Sequence, residues 1–323
     1  MNRLTQNPRL LGTVLALILI AVLVKVFIPF ETAAVQASVA IAPEVLGQLS
    51  IGAFTLPITN TLITSWIVLI LITLFAVFST SKMSLVPSGL QNLMETLIET
   101  LLGLTEQVAG PERGRKFFPI VATIFIYVLF SNLVGLIPGF GPLGVITVRD
   151  LSELPKGIFD LGPAPGFIHT VEAEGASPVL APLLRAPSTD VNLPLALALI
   201  SVLMTQVYGM QAQGLKYWTR FFSFGRLLKG NIAFGLIDVF VGLVELVSEV
   251  GKIIAFTFRL FGNVFAGEVV LLIMSFLFLL LPFIFYGLEL FVAVIQAFVF
   301  AILTVAFMTI ATTEHQAEGA EHH

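Results

Sequence analysis

No cysteine occurs among the 323 residues, which excludes disulfide staples, thiolate metal sites and cysteine nucleophiles. Charge is almost as scarce: Asp, Glu, Lys and Arg together make up 11% of the chain, against about 25% in a soluble domain. Tyrosine and tryptophan number 4 and 2 beside 29 phenylalanines, so the aromatic content is almost wholly apolar. Histidine is confined to His169, His315, His322 and His323, and the three tail positions read as solvated residues rather than a metal site. No GxxxxGK[ST] phosphate loop is present, so no nucleotide site is expected; no cofactor and no nucleic-acid partner are expected either. What fills the chain is hydrophobic sequence, 57% of it, in runs long enough to cross a bilayer. The fold class this implies is all-α, a polytopic transmembrane helical protein.

The apolar runs divide the chain. Residues 1–60 hold an apolar segment, Leu10–Phe30, which reads as a signal peptide or a retained anchor, its length favouring the anchor, followed by a segment outside the cytoplasm. Residues 61–138 hold a span over Leu62–Phe78, an amphipathic helix over about 81–110 and a second span over Phe117–Ile137. In the amphipathic helix Leu90, Leu93, Leu97, Leu101 and Leu104 recur at three- and four-residue steps while Glu95, Glu99 and Glu106 fall elsewhere, the pattern of a helix lying at a membrane surface. Residues 139–189 are rich in Pro and Gly and read as a long loop. Residues 190–230 hold a third span, Val191–Tyr208, and a basic connection. Residues 231–313 form a helical hairpin that turns at Pro282, and 314–323 are a tail. The first arm, about 50 residues, would be roughly 75 Å long at 1.5 Å per residue, against a hydrocarbon core of about 30 Å. It cannot stand upright, so the hairpin is expected to be strongly tilted.

Basic residues orient the chain. None falls between Glu31 and Asn60, whereas 80–116 carries Lys82, Arg113, Arg115 and Lys116, and the next connection carries Lys216, Arg220, Arg226 and Lys229. This pattern puts 80–116, 214–230 and the C-terminus in the cytoplasm, with 139–189 and Pro282 outside. The patch Lys216–Lys229 serves either this topology alone or the docking of a peripheral stalk.

Within the first arm stand Glu245, Ser248, Glu249, Lys252, Arg259, Asn263 and Glu268. At about 100° per residue, Glu245, Lys252, Arg259 and Asn263 fall within about 60° of one another, and Glu268 points to the opposite side. Glu289 and Gln296, seven apart, share a face of the second arm. An ionisable group at membrane depth costs about 2.5–3.5 kcal/mol on insertion scales and marks a polar pathway. Glu245 or Glu249 pairing with Lys252 would be a plain structural ion pair. Arg259 has no acid at three or four residues on either side. A guanidinium stays protonated, so Arg259 acts as a fixed charge, and Glu245, Glu249, Glu268 and Glu289 are the relay candidates.

The stretch RLFGNVFAGE, Arg259–Glu268, resembles the signature of subunit a, the stator proton-channel subunit of F-type ATP synthases. PSTDVNLPLALAL resembles the segment opening that family's fourth helix, SNLVGLIPG the end of its third and IQAFVFAILTVAFMTIA its last helix, so the resemblance spans about residues 50–315. It implies that Arg259 is the essential arginine facing a rotating ring of c subunits. Asn263, Glu268, Glu289 and Gln296 would line one half-channel, Glu245 and Ser248 the other. Protons would enter through one, neutralise a ring carboxylate, ride the ring and leave through the other, without an enzyme site in this chain. The implied partners are the c-ring, the b subunits of a peripheral stalk and membrane lipid, in an energy-coupling membrane such as a bacterial plasma membrane. The sequence departs from the family at Glu289, where some relatives carry His, and at Gly135, where some carry an acid. The 139–189 loop is longer than usual, and the 10–30 helix is an addition. A secondary transporter would instead show an internal repeat with paired broken helices, which the sequence lacks, and a plain membrane scaffold leaves Arg259 without a reason.

Overall fold

The computed structural model describes residues 43–51, 54–81, 83–137, 144–148, 178–182, 184–222, 232–277 and 281–313. The expected 10–30 helix, all four histidines, Arg226 and Lys229 lie outside these ranges. Among the described residues six long helices carry the fold, α1 Asn60–Thr80, α2 Leu90–Ala109, α3 Pro111–Gly135, α4 Asn192–Gln213, α5 Ile232–Leu277 and α6 Leu281–Thr312. The all-α membrane class expected from composition is the class observed, and α1, α3, α4 with its following turn, and α6 are long and apolar enough to cross a membrane.

Each boundary has a local cause. At the head of α1, the Thr59 hydroxyl accepts from the Leu62 amide at 3.2 Å, a side-chain cap for a first-turn donor. Inside α1, the hydroxyls of Thr64, Ser65 and Thr73 donate to carbonyls four residues back, so an otherwise apolar helix carries them with partners of its own. Helix α3 begins at Pro111, six residues before the expected Phe117. Gly110, at φ +81°, turns the chain out of α2, and Pro111 starts the next helix with its φ already set. Arg113, Arg115 and Lys116 therefore ride the first turns of α3 rather than a loop. Gly114 is needed at that corner, since a Cβ there would stand 2.8 Å from the Glu106 backbone. Helix α4 runs five residues beyond the expected Tyr208 and stops at Gly214, φ +62°.

Two short hairpins were not foreseen. Strands β1 (Val45–Ile51) and β2 (Phe54–Thr59) pair antiparallel and lead straight into α1. Strands β3 (Gly144–Val148) and β4 (Pro178–Pro182) pair the two ends of the Pro/Gly-rich segment. A ladder only five residues long, with proline at both ends of one strand, carries no periodic signal. The prolines sit at strand ends, where the missing donor disturbs the ladder least.

The core lies where α3, α4, α5 and α6 meet. Phe117, Val121 and Val128 of α3 pack with Ala198 and Tyr208 of α4, Phe256 and Leu260 of α5, and Ala297, Phe300 and Val305 of α6. The Phe256 and Phe300 rings meet tilted at 35°, with centroids 4.6 Å apart. Ser201 and Thr304 share a buried hydrogen bond of 2.9 Å between α4 and α6. Such bonds contribute about 0.6 kcal/mol each between membrane helices, so close packing carries most of the association. Of the amphipathic helix α2, Leu97 and Leu101 reach this core, whereas Leu90 and Leu93 stay exposed. Large apolar side chains are also exposed along α1 (Trp66, Ile70, Phe78) and along α5 (Phe234, Phe240, Val247, Phe258). Surface of this kind requires lipid or a partner.

Candidate functional site

Helix α5 spans 46 residues, about 69 Å, and its two faces differ. Phe256, Thr257 and Leu260 are buried and seat it on the core. Arg259 lies on the other side, exposed, with neither a hydrogen bond nor an ion pair among the described residues. Its neighbours along that face are small. Ser248, Ala255 and Ala266 are exposed, and a Cβ added at Gly251 or Gly262 would meet open space. The guanidinium therefore stands on a helix surface that another helix can approach closely.

Towards the C-terminal end of α5 a polar cluster forms. Asn263 donates through Nδ2 to Gln296 Oε1 of α6 at 2.7 Å. The Gln296 amide nitrogen is buried with no acceptor among the described residues. Such an orphan costs about 1–3 kcal/mol, and native structures keep few of them. The Glu289 carboxylate packs directly on Gly267, where a Cβ would collide with it. Glu268 is gripped by Arg185, whose Nε lies 3.0 and 3.1 Å from the two carboxylate oxygens. Arg185 is buried, stands 5.8 Å from the Phe265 ring centroid, and is tied at its backbone amide to the Thr64 hydroxyl of α1 at 3.3 Å.

Arg185 precedes a 3-10 turn, Pro187–Thr189, pinned by its own buried polar contacts. Ser188 donates to Asn132 Oδ1 of α3 at 2.9 Å. Asp190 accepts from the Thr61 hydroxyl of α1 at 3.0 Å and from the Asn192 amide at the head of α4 at 3.0 Å. Ala186 lies against Gly135, leaving no room for a side chain there. The position where some relatives of the resembled family carry an acid is thus closed by packing.

Towards the N-terminal end of α5 a second cluster forms. Glu245 pairs with Arg220, in the 3-10 segment Gly214–Arg220 that follows α4. Glu249 accepts from Lys252 Nζ at 2.6 Å and from Gln206 Nε2 of α4 at 3.0 Å. Gln206 in turn accepts from the Tyr217 hydroxyl at 2.6 Å. Lys252 also lies 4.8 Å from the Phe307 ring centroid of α6. Ser248 is exposed beside this cluster.

The structure thus gathers Asn263, Gln296, Glu268 and Glu289 at one end of α5 and Glu245, Ser248 and Glu249 at the other, with Arg259 between. Of the stripe read from periodicity, Arg259 and Asn263 lie exposed on α5, while Lys252 is largely covered, its ammonium held by Glu249 and Phe307. The sequence reading missed Arg185, Gln206 and Tyr217, and took Arg220 only as part of a basic patch. Arg185 had one available signal: it stands two residues before PSTDVN.

A model of the ATP synthase A chain family matches residues 62–309. The chain is 30% identical over 251 residues to "ATP synthase subunit a 1" of Syntrophotalea carbinolica, covering 77% of this chain and 84% of that protein. It is 31% identical over 252 residues to "ATP synthase subunit a" of Campylobacter jejuni, with 76% and 87% covered. Over 257 residues it is 28% identical to "ATP synthase subunit a" of Moorella thermoacetica, with 78% and 90% covered.

Proposed function

The chain belongs to the ATP synthase A chain family, and from that premise we propose that its two polar clusters are separate half-channels flanking a ring-facing Arg259. Membership makes it a membrane-embedded, proton-translocating subunit of an ATP synthase rather than an enzyme on its own. The observation that carries the finer reading is the state of Arg259: exposed, unpaired among the described residues and flanked by small side chains. A permanent cation on an apolar helix is costly to insert, and a carboxylate on a partner helix would offset that cost. The partner that fits is the c-ring of the same complex.

Ser248 and Asn263 lie about 16 Å before and about 6 Å after Arg259 along the axis, at 1.5 Å per residue. Glu245 and Ser248 line the cytoplasmic path. Asn263, Gln296, Glu268 and Glu289 line the path from the opposite side, by the charge asymmetry of the connections. Arg259 separates them. A positive charge favours the ionised form of a carboxylate close to it, so a ring site arriving at Arg259 releases its proton before moving on. The chain sits in a bacterial plasma membrane with its C-terminus in the cytoplasm, and the b subunits of the stalk dock on the cytoplasmic face.

The test is Arg259→Ala in the assembled complex in inverted vesicles. ATP-driven proton pumping is expected to vanish while the complex still assembles. Arg259→Lys is expected to substitute poorly, because its ammonium lacks the planar fork and can lose its proton. Pumping at the wild-type rate by Arg259→Ala overturns the reading.

A further inference from the structure

Lys252 lies seven residues before Arg259, about 10.5 Å along the same side of α5. Left bare, it would present a second positive charge next to the first. Its ammonium is instead held 2.6 Å from Glu249 Oε1 and 4.8 Å from the Phe307 ring centroid, and only 16% of the side chain is exposed. The pair is built in from α4 as well. Gln206 Nε2 donates to the other Glu249 oxygen at 3.0 Å, and the Tyr217 hydroxyl fixes the orientation of that amide by donating to its oxygen at 2.6 Å. Both Glu249 oxygens accept from donors that point at them, which holds the carboxylate in place against Lys252. Of the other charged groups at this end among the described residues, Arg220 and Glu245 pair with each other, while Asp238 lies about three turns nearer the start of α5 than Glu249 and Lys216 on the segment that carries Arg220.

We propose that Glu249 is the fixed counter-charge of Lys252, a positioning residue that leaves Arg259 as the one cation α5 presents, among its described residues, to the partner ring. This rests on the ring-facing reading of Arg259. Without Glu249, a second positive charge would stand beside the cytoplasmic path, where a ring carboxylate must take up a proton. A positive charge favours the ionised carboxylate, so uptake there would demand a lower pH. The alternative role for the same contacts is purely structural, an ion pair that keeps α4, α5 and α6 in register.

A charge-compensation experiment separates the two in the whole ATP synthase, with ATP-driven pumping by inverted vesicles followed against pH. Glu249→Gln keeps the shape and one accepting oxygen while removing the charge, at the cost of one of the two bonds from Lys252 and Gln206. Its pumping is expected to fail first at alkaline pH, the alkaline limb moving down by on the order of one pH unit, about a tenfold loss at a fixed pH on that limb. Glu249→Asp, which keeps the charge, is expected to retain the wild-type limb. Adding Lys252→Met to Glu249→Gln is expected to return the limb to its original place, since both charges are then gone. If Glu249→Gln reduces the amount of assembled complex, activity is read per assembled complex and the limb position still decides. An unshifted limb in Glu249→Gln overturns the proposal, as does a double variant no better than the single. Arg259→Ala, measured in parallel, keeps the two readings apart. If it pumps normally the ring-facing reading fails, and if it is inactive while Glu249→Gln keeps a wild-type profile only the counter-charge fails.

Discussion

Arg185 and Glu268 are 83 residues apart in the chain, yet the Arg185 Nε sits 3.0 Å from one Glu268 carboxylate oxygen and 3.1 Å from the other. The guanidinium is buried against Phe265, with 4% of its side chain exposed, while 38% of the Glu268 side chain remains open. One partner is thus part of the packed frame between α1 and α4, and the other stays partly open. The arrangement sets the position of the Glu268 carboxylate from behind.

That pairing is testable by a double-mutant cycle on Arg185→Gln and Glu268→Gln. Each single variant is expected to lower the melting temperature of the solubilised complex. The double variant should lose less than the two losses added, with a coupling of about 0.5–3 kcal/mol as for residues in direct contact. Strict additivity would show that the two side chains do not sustain each other in the membrane.

Gly267 gives a second test, because propensity and contact predict opposite outcomes. Alanine is favoured over glycine inside a helix by about 1 kcal/mol, so Gly267→Ala should not weaken α5. The added methyl would strike the Glu289 carboxylate, the movable end of a flexible side chain. Assembly and melting are therefore expected to stay at wild-type levels while pumping falls by about tenfold to a hundredfold, the scale of a misplaced functional group. Glu289→Asp in the same background draws the carboxylate back and should restore part of the rate. Wild-type pumping in Gly267→Ala would show that the seat of Glu289 is irrelevant.

Gly135 and Gly103 form a matched pair for the packing of the Arg185 segment. A Cβ at Gly103 meets open space, whereas one at Gly135 would run into Ala186. Gly103→Ala is expected to leave the melting temperature unchanged or raise it, by the same helix preference of up to about 1 kcal/mol. Gly135→Ala should lower it, by an overpacking cost of about 1–3 kcal/mol, and disturb Glu268 through Arg185. Equal melting temperatures would contradict the close approach of Ala186.

The absence of native cysteine permits a test of sidedness. Single cysteines replacing Glu268 and Glu289 are expected to react with a membrane-impermeant thiol reagent from outside. Those replacing Glu245 and Ser248 should react from the cytoplasm. Reversed or mixed labelling at these four positions would break the assignment of the two half-channels, even with Arg259 essential.

The amino-acid sequence alone determined what local physics controls. Helices α1 and α6 follow from apolar runs and the prolines and polar residues that bound them, and α5 from a long helical pattern that meets no proline before Pro282. The isolation of Arg259 follows from the lack of an acid within one turn. The pairing of Lys252 with Glu249, three residues apart on one helix, was foreseen as an alternative because such neighbours meet in any helix. Tertiary structure alone decided which distant groups complete each cluster. Arg185 reaches Glu268 only because Ser188 and Asp190 pin its segment to α3, α1 and α4. Gln206 reaches Glu249 only because α4 packs beside α5, and Tyr217 reaches Gln206 only because the segment after α4 folds back on it. Arg220 rather than Lys252 takes Glu245 because the turn after α4 folds back onto α5. A side chain's period along its own helix says which way it points, but the partner it meets there depends on packing between elements far apart in the chain, and that packing is set by the shapes of whole helix faces at once.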